Sequence, residues 1–187
     1  MMAQSAAPSA DVLWSLENHA VSAGDSIDTE IAPFVAGLST TILLDYDQQD
    51  YSGASGVAGS SIKYLFTITS GSSKFSVGKY GRTVKTIHYN WMDSPAAEPK
   101  IPNVSADIGR KRIIVTHVAD SAEITIYVKT GEVMETVTAT GTFTASSLPL
   151  MIGGNANTQQ SLFAGIITEA KIFNRILSAA EINAFFA

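Results

Sequence analysis

The residues Ile124, Ile126 and Val128 alternate with Thr125, Tyr127 and Lys129, the period-2 signature of a strand with one face on a core and one face outside. Runs rich in β-branched and aromatic residues recur at 62–69, 83–91, 112–118 and 122–129, and such residues suit a pleated, half-buried surface. Further strands are predicted at 39–47, 74–77, 133–139, 148–152 and 166–173, about nine in all. The joints carry turn chemistry: Gly53, Gly56 and Gly59, then Ser70-Gly71-Ser72, Tyr80-Gly81, Thr130-Gly131 and Gly153-Gly154-Asn155. Many short strands with frequent turns predict an all-β sandwich or jelly roll rather than an alternating α/β fold. No fixed-period repeat points to a propeller or solenoid.

The pattern changes only at the end of the chain. Ser178-Ala179-Ala180-Glu181 is a capping box: the Ser hydroxyl accepts from the third helical N–H, and the Glu carboxylate reaches back to the Ser N–H. Ile182, Phe185 and Phe186 then fall on one side of a short C-terminal helix, which is expected to dock on a sheet.

Composition narrows the function classes. A chain of 187 residues is expected to form one domain. It has no cysteine, which excludes a disulfide framework, a thiolate metal site and a cysteine nucleophile. With 12 Lys+Arg against 17 Asp+Glu and no basic run, the electrostatic footprint of a nucleic-acid binder is missing. No apolar stretch approaches the roughly 18 residues of a membrane span, so membrane insertion is not expected. Residues 1–10 are small and polar and contain Pro8; they read as a flexible arm before a domain at 11–187. The start shows neither the basic head nor the apolar stretch of a secretory leader.

The last third carries a resemblance. Ile152-Gly153-Gly154, Phe163-x-Gly165-x-Ile167, Glu169, Asn174-Arg175 and Leu177-Ser178-x-x-Glu181-Ile182 resemble the closing segment of laminin-G-like domains of the concanavalin A-like lectin/glucanase superfamily. Phe173 stands where that pattern usually has Tyr, and Thr168 where it has an acid. Residues 112–128 followed by Gly131 resemble the family's hairpin, and Ser26-Ile27-Asp28-Thr29 with Thr40-Thr41-Ile42-Leu43 resembles its first strand pair. The resemblance implies a jelly roll of two antiparallel sheets, a concanavalin A-like sandwich. It does not imply one function, because the fold carries lectins, glycosidases, adhesion modules and structural parts.

Catalysis is not expected. Hydrolytic members of the superfamily place acids as Glu-x-Asp-x-Glu, which aligns carboxylates on one strand face around a glycosidic bond, and no Glu of this chain has an Asp two residues on. No G-x-S-x-G accompanies the histidines. His19, His88 and His117 are too scattered for a zinc set, and His88 and His117, inside predicted strands, are expected to be hydrogen-bonded sheet residues. Asp45, Asp47 and Asp50 form the densest acidic group; oxygen ligands suit calcium, which some relatives bind, but three acids at a strand end also make a solvated rim.

Glycan binding needs an aromatic plane and convergent polar groups. Tyr51, Trp91, Asp93, Asn155 and Asn157 offer that mixture in predicted loops and strand ends, although Trp91 serves equally as a cap on the core. The expectation is a non-catalytic, lectin-like module that recognises glycans or a protein surface, located extracellularly or on a virion surface. The alternative is a structural decoration protein of a phage virion. In either case the chain is expected to be a homo-oligomer or particle-bound.

Overall fold

The computed structural model describes residues 11–22, 25–49, 63–70, 72–79, 87–91, 100–101, 109–121, 123–140, 145–153 and 165–187. They form twelve strands and one helix: β1 (Val12–Val21), β2 (Ile27–Asp28), β3 (Thr40–Gln48), β4 (Lys63–Ser70), β5 (Ser72–Lys79), β6 (Ile87–Trp91), β7 (Lys100–Ile101), β8 (Gly109–His117), β9 (Glu123–Thr130), β10 (Val133–Thr140), β11 (Met151–Ile152), β12 (Gly165–Phe173) and α1 (Ala179–Phe186). The first sheet runs β1-β12-β3-β8-β9-β10 and the second β2-β11-β4-β5-β6-β7. The paired strands are antiparallel throughout, as the alternation predicts.

The core lies between the sheets. Ile42 and Leu44 of β3, Ile113 and Val115 of β8, Ile124, Ile126 and Val128 of β9 face Phe66, Ile68, Phe75, Val77 and Ile152 of the second sheet. One irregularity tunes which residues reach it. A register shift between Ile167 and Glu169 in β12 breaks the period-2 rule, so Ile167, Ala170 and Ile172 all enter the core. The same bulge turns Glu169 and Lys171 to the outer face, because one extra residue flips every side chain beyond it.

That outer face is covered at one end by α1. Leu177, Ile182 and Phe186 bury against Leu43 and Ile114, with Tyr127, Phe173 and Phe185 at the margin. Hence β3 is buried along nearly its whole length, where a strand with one wet face would alternate. The link into the helix is pinned on β3: the Thr41 hydroxyl donates to the Arg175 carbonyl at 2.8 Å and accepts from Leu177 N–H at 3.1 Å.

The capping box is present. Ser178 Oγ accepts from Glu181 N–H at 3.3 Å, and Glu181 Oε2 accepts from Ser178 N–H at 2.7 Å. Arg175 clamps the same carboxylate at 2.6 and 2.9 Å and reaches Asp11 at 3.0 Å. These contacts, Arg175 first and the Ser178 amide and hydroxyl after it, draw the Glu181 carboxyl down to about 2. Ser178→Ala is expected to lower stability by about 0.5–2 kcal/mol at neutral pH. Because the Glu181 value is depressed, its contribution is complete above the ordinary carboxyl value of 4.5 and fades as pH falls toward 2. Only the hydroxyl's bond to the carboxylate is lost with that protonation, so the urea midpoints of the two proteins should draw closer without meeting as pH falls from 5 toward about 2; a gap constant with pH would show that the hydroxyl does not bond the carboxylate.

Two expectations change. The segments Ser26–Thr29 and Thr40–Leu43 do not pair: β2 bonds β11 in the second sheet, while β3 bonds β12 and β8 in the first. The long strand β1 is not predicted by the sequence pattern, because Asn18 at φ 50° and a register shift between Val12 and Trp14 interrupt its alternation. Residues 1–10 lie outside the described residues.

Candidate functional site

The register of the first sheet lines up one row of charges on its outer face. Lys129 of β9 lies opposite Arg112 of β8, Arg112 opposite Asp45 of β3, Asp45 opposite Glu169 of β12, and Glu169 opposite Glu17 of β1. Cross-strand neighbours lie about 5 Å apart, so the row is a continuous band with a cationic end and an anionic end.

Asp45 is the hinge of that band. Its carboxylate is almost fully buried, and it accepts from Arg110 Nε at 2.7 Å, again from Arg110 Nη2, and lies 3.5 Å from Arg112 Nε. The forked geometry of Arg110 is the bidentate type that strengthens a charge-assisted bond. Toward the anionic end Lys171 bonds Glu169 and sits 3.5 Å from Glu17, so that both carboxylates share one cation.

The cationic end is organised around the helix terminus. Arg112 Nη1 donates to the Phe185 carbonyl at 2.9 Å and Lys129 Nζ to the Phe186 carbonyl at 2.6 Å. These oxygens belong to the last helical turn, where intrahelical donors run out and the dipole favours cations. The consequence is a cleft of about 150 Å³ walled by Arg110, Arg112, Lys129, Gly131, Glu132 and Ala187. At about 30 Å³ per water it holds a carboxylate- or sulfate-sized group with a few waters.

Three cations line the cleft together with the Glu132 side chain, and Asp45, outside that lining, already faces both arginines. Among the described residues Lys129 has no carboxylate partner. The Arg110 side chain is 51% exposed and has more N–H donors than Asp45 engages. Chemically the cleft is an anion receiver with directional donors.

The residues singled out by sequence distribute unevenly. Asp45 and Asp47 lie on β3 as the spacing implied, with Asp45 held by guanidinium groups; a divalent cation would have to displace those contacts. Asp50, Tyr51, Asp93, Asn155 and Asn157 lie outside the described residues, and of Trp91 only the backbone is described. Among the described residues no three acids or histidines gather as a metal set. His117 ends β8, buried against Phe34 with Nε2 3.1 Å from the Ser121 carbonyl, and burial lowers its pKa. It is a sheet residue, as expected. His88 lies within β6.

Gln48, the last residue of β3, pairs with Gly109 and with Gly165. That end of the sheet carries Arg110. Trp91 pairs instead with Phe75, whose ring meets Phe34, which in turn meets His117 at the far end of β8. The cleft cations themselves were missed by sequence. Arg110-x-Arg112 was a usable signal, since residues two apart on a strand share a face, but bringing Lys129 beside them requires the β8–β9 register.

The comparisons agree with this architecture. A search of curated proteins finds no match to the sequence. Among solved structures, the Ruminococcus gnavus IT-sialidase carbohydrate-binding module CBM40 aligns at TM-score 0.63 with 15% identity, over 94% of this chain and 100% of that one. The same module bound to alpha2,3 sialyllactose aligns at TM-score 0.60 with 15% identity, over 92% and 97%. The basic winged bean lectin with Tn-antigen aligns at TM-score 0.50 with 7% identity, over 80% and 76%. At such identities the likeness is one of fold. A family model matches residues 26–183, and the chain therefore belongs to the concanavalin A-like lectin/glucanase superfamily, in its laminin-G-like branch.

Proposed function

We propose that this chain is a non-catalytic carbohydrate-binding module that receives the anionic group of an acidic glycan in the cleft between Arg110, Arg112 and Lys129. The observation that carries the reading is the convergence of three cations on one open cleft, in a fold shared over almost the full chain with a carbohydrate-binding module. That neighbour's complex holds alpha2,3 sialyllactose, which is itself a carboxylated sugar. On the same face Asp45 is held by Arg110 and Arg112, and Glu17 and Glu169 by Lys171. Such pairing suits a scaffold better than a general acid, which needs an unclamped proton.

Tyr51, Asn155 and Asn157 are proposed as the stacking plane and hydroxyl partners of the same glycan. Trp91 and Asp93 would serve a second rim. Clustered copies, on a virion surface or in another extracellular setting, would raise weak single-site affinity through effective concentration.

A glycan array spanning neutral, carboxylated and sulfated sugars tests this. Preference for acidic glycans is expected, with Arg110→Ala or Lys129→Ala weakening binding about 10-fold or more, since a hydrogen bond to a charged group is worth about 1.5–3 kcal/mol. Affinity should also fall with salt. Absence of any glycan hit would end the module reading; neutral hits indifferent to both substitutions would remove the cleft from it.

A further inference from the structure

Among the described residues the two sheets end in four edge strands, and two of them are blunted. β2 is two residues long, and β1 is interrupted by Asn18 at φ 50° and a register shift, and carries Glu17 and His19. These are recognised ways of keeping an edge from pairing with another chain. β10 differs. Its eight residues, VMETVTAT, pair with β9 without a register shift, contain one charge and no proline, and have no strand beyond them among the described residues.

We propose that β10 pairs antiparallel with β10 of a second copy, about a two-fold axis at Val137, joining the two first sheets into one continuous sheet. The phase of the backbone follows from the β9–β10 turn. Val133 pairs with Thr130 across Gly131 and Glu132, and Gly131 at φ 58° takes the first central position, the glycine-first pattern of a two-residue hairpin. The closing pair of such a hairpin exchanges both hydrogen bonds. Val133, Glu135 and Val137 therefore spend their backbone groups on β9, and Met134, Thr136 and Thr138 turn theirs to the open edge.

A second copy fits this row by its own chemistry. Residues directly opposite across a sheet must share a face. With Val137 on the axis, Thr136 of each copy meets Thr138 of the other on the outer face, where both are exposed, and the two valines meet on the inner face. Thr–Thr and β-branched pairs are favourable cross-strand combinations. The half-buried Glu135 selects the register: an axis at Glu135 would oppose two carboxylates and an axis at Thr136 would leave them diagonal neighbours, whereas the Val137 axis separates them by four positions.

The chain has no cysteine, which makes cross-linking a clean test. A non-hydrogen-bonded pair has Cα atoms about 4.5 Å apart, within disulfide reach. Oxidised V137C protein should become a covalent dimer, while T136C, which faces Thr138, should cross-link far less. The unmodified protein should show a concentration-dependent mass up to twice 19.8 kDa by light scattering. Thr138→Pro removes only an outward N–H and should weaken association at least 10-fold with unchanged circular dichroism; Thr138→Lys, which keeps the N–H, should weaken it by repulsion if the proline variant does not fold. A single 19.8 kDa species at millimolar concentration, or T136C cross-linking as readily as V137C, would overturn the proposal.

Discussion

Gly165→Ala is expected to destabilise the fold by roughly 2–3 kcal/mol, the upper part of the range for forcing atoms into a filled core. Gly165 opens β12 opposite Gln48 of β3, and a Cβ there would fall on the Asp47 carbonyl oxygen, 2.8 Å from Tyr46 Cε2 and 2.9 Å from its hydroxyl oxygen. None of these can retreat cheaply. The Asp47 carbonyl is backbone held between β12 and β8, and the Tyr46 ring is fully buried, with a hydroxyl that burial pushes well above its ordinary value. The glycine is thus required by close approach of a neighbouring strand rather than by an unusual dihedral. A urea midpoint unchanged by Gly165→Ala would show that the strands part more easily than this packing implies. Adding Tyr46→Leu should relieve only part of the strain, because the carbonyl contact remains.

Much of the architecture was legible in the sequence wherever alternation was uninterrupted. In β9 the inward Ile124, Ile126 and Val128 and outward Thr125, Tyr127 and Lys129 fall as read, and the capping box placed α1 with its N-cap at Ser178. Reading failed where a bulge resets the period. Ile167 and Ala170 share the core although they are three apart, and β1 was lost to its positive-φ Asn18. In the second sheet β2 and β11 fall within segments read from the sequence, whereas the pairing at β7 went unread. The candidate site was less legible still. Asp45 drew notice as one of three neighbouring acids, but its chemistry is decided by Arg110 and Arg112, which lie 65 or more positions away in the chain. Lys129 reads only as an outward strand residue until the hairpin sets it beside Arg112. Sequence spacing reports faces of one strand; a cross-strand cleft is a property of register.

That dependence on register makes Asp45 the most consequential side chain of the face. Its side chain is 4% exposed and lies against Arg110 and against Arg112, itself only 17% exposed. Asp45→Ala would leave the Arg112 guanidinium with the Phe185 carbonyl as its remaining described partner. Removing one member of a fully buried pair costs about 3–5 kcal/mol through the orphaned charge. Arg110, half exposed, can turn to water, so the expected loss here is smaller, about 2–3 kcal/mol. The reciprocal change Arg110→Ala removes an exposed cation and is expected to cost under about 1 kcal/mol, because Asp45 keeps Arg112. The asymmetry is the test: urea midpoints should order as unmodified protein, Arg110→Ala, then Asp45→Ala well below both. Equal losses would mean that Asp45 is solvated rather than clamped. A smaller loss for Asp45→Ala than for Arg110→Ala would mean that mutual repulsion among the cleft cations is not what the carboxylate restrains. On the expected ordering, Asp45 holds two of the three anion-receiving groups in place, and its replacement by Asn should weaken acidic-glycan binding even though it adds net positive charge to the cleft.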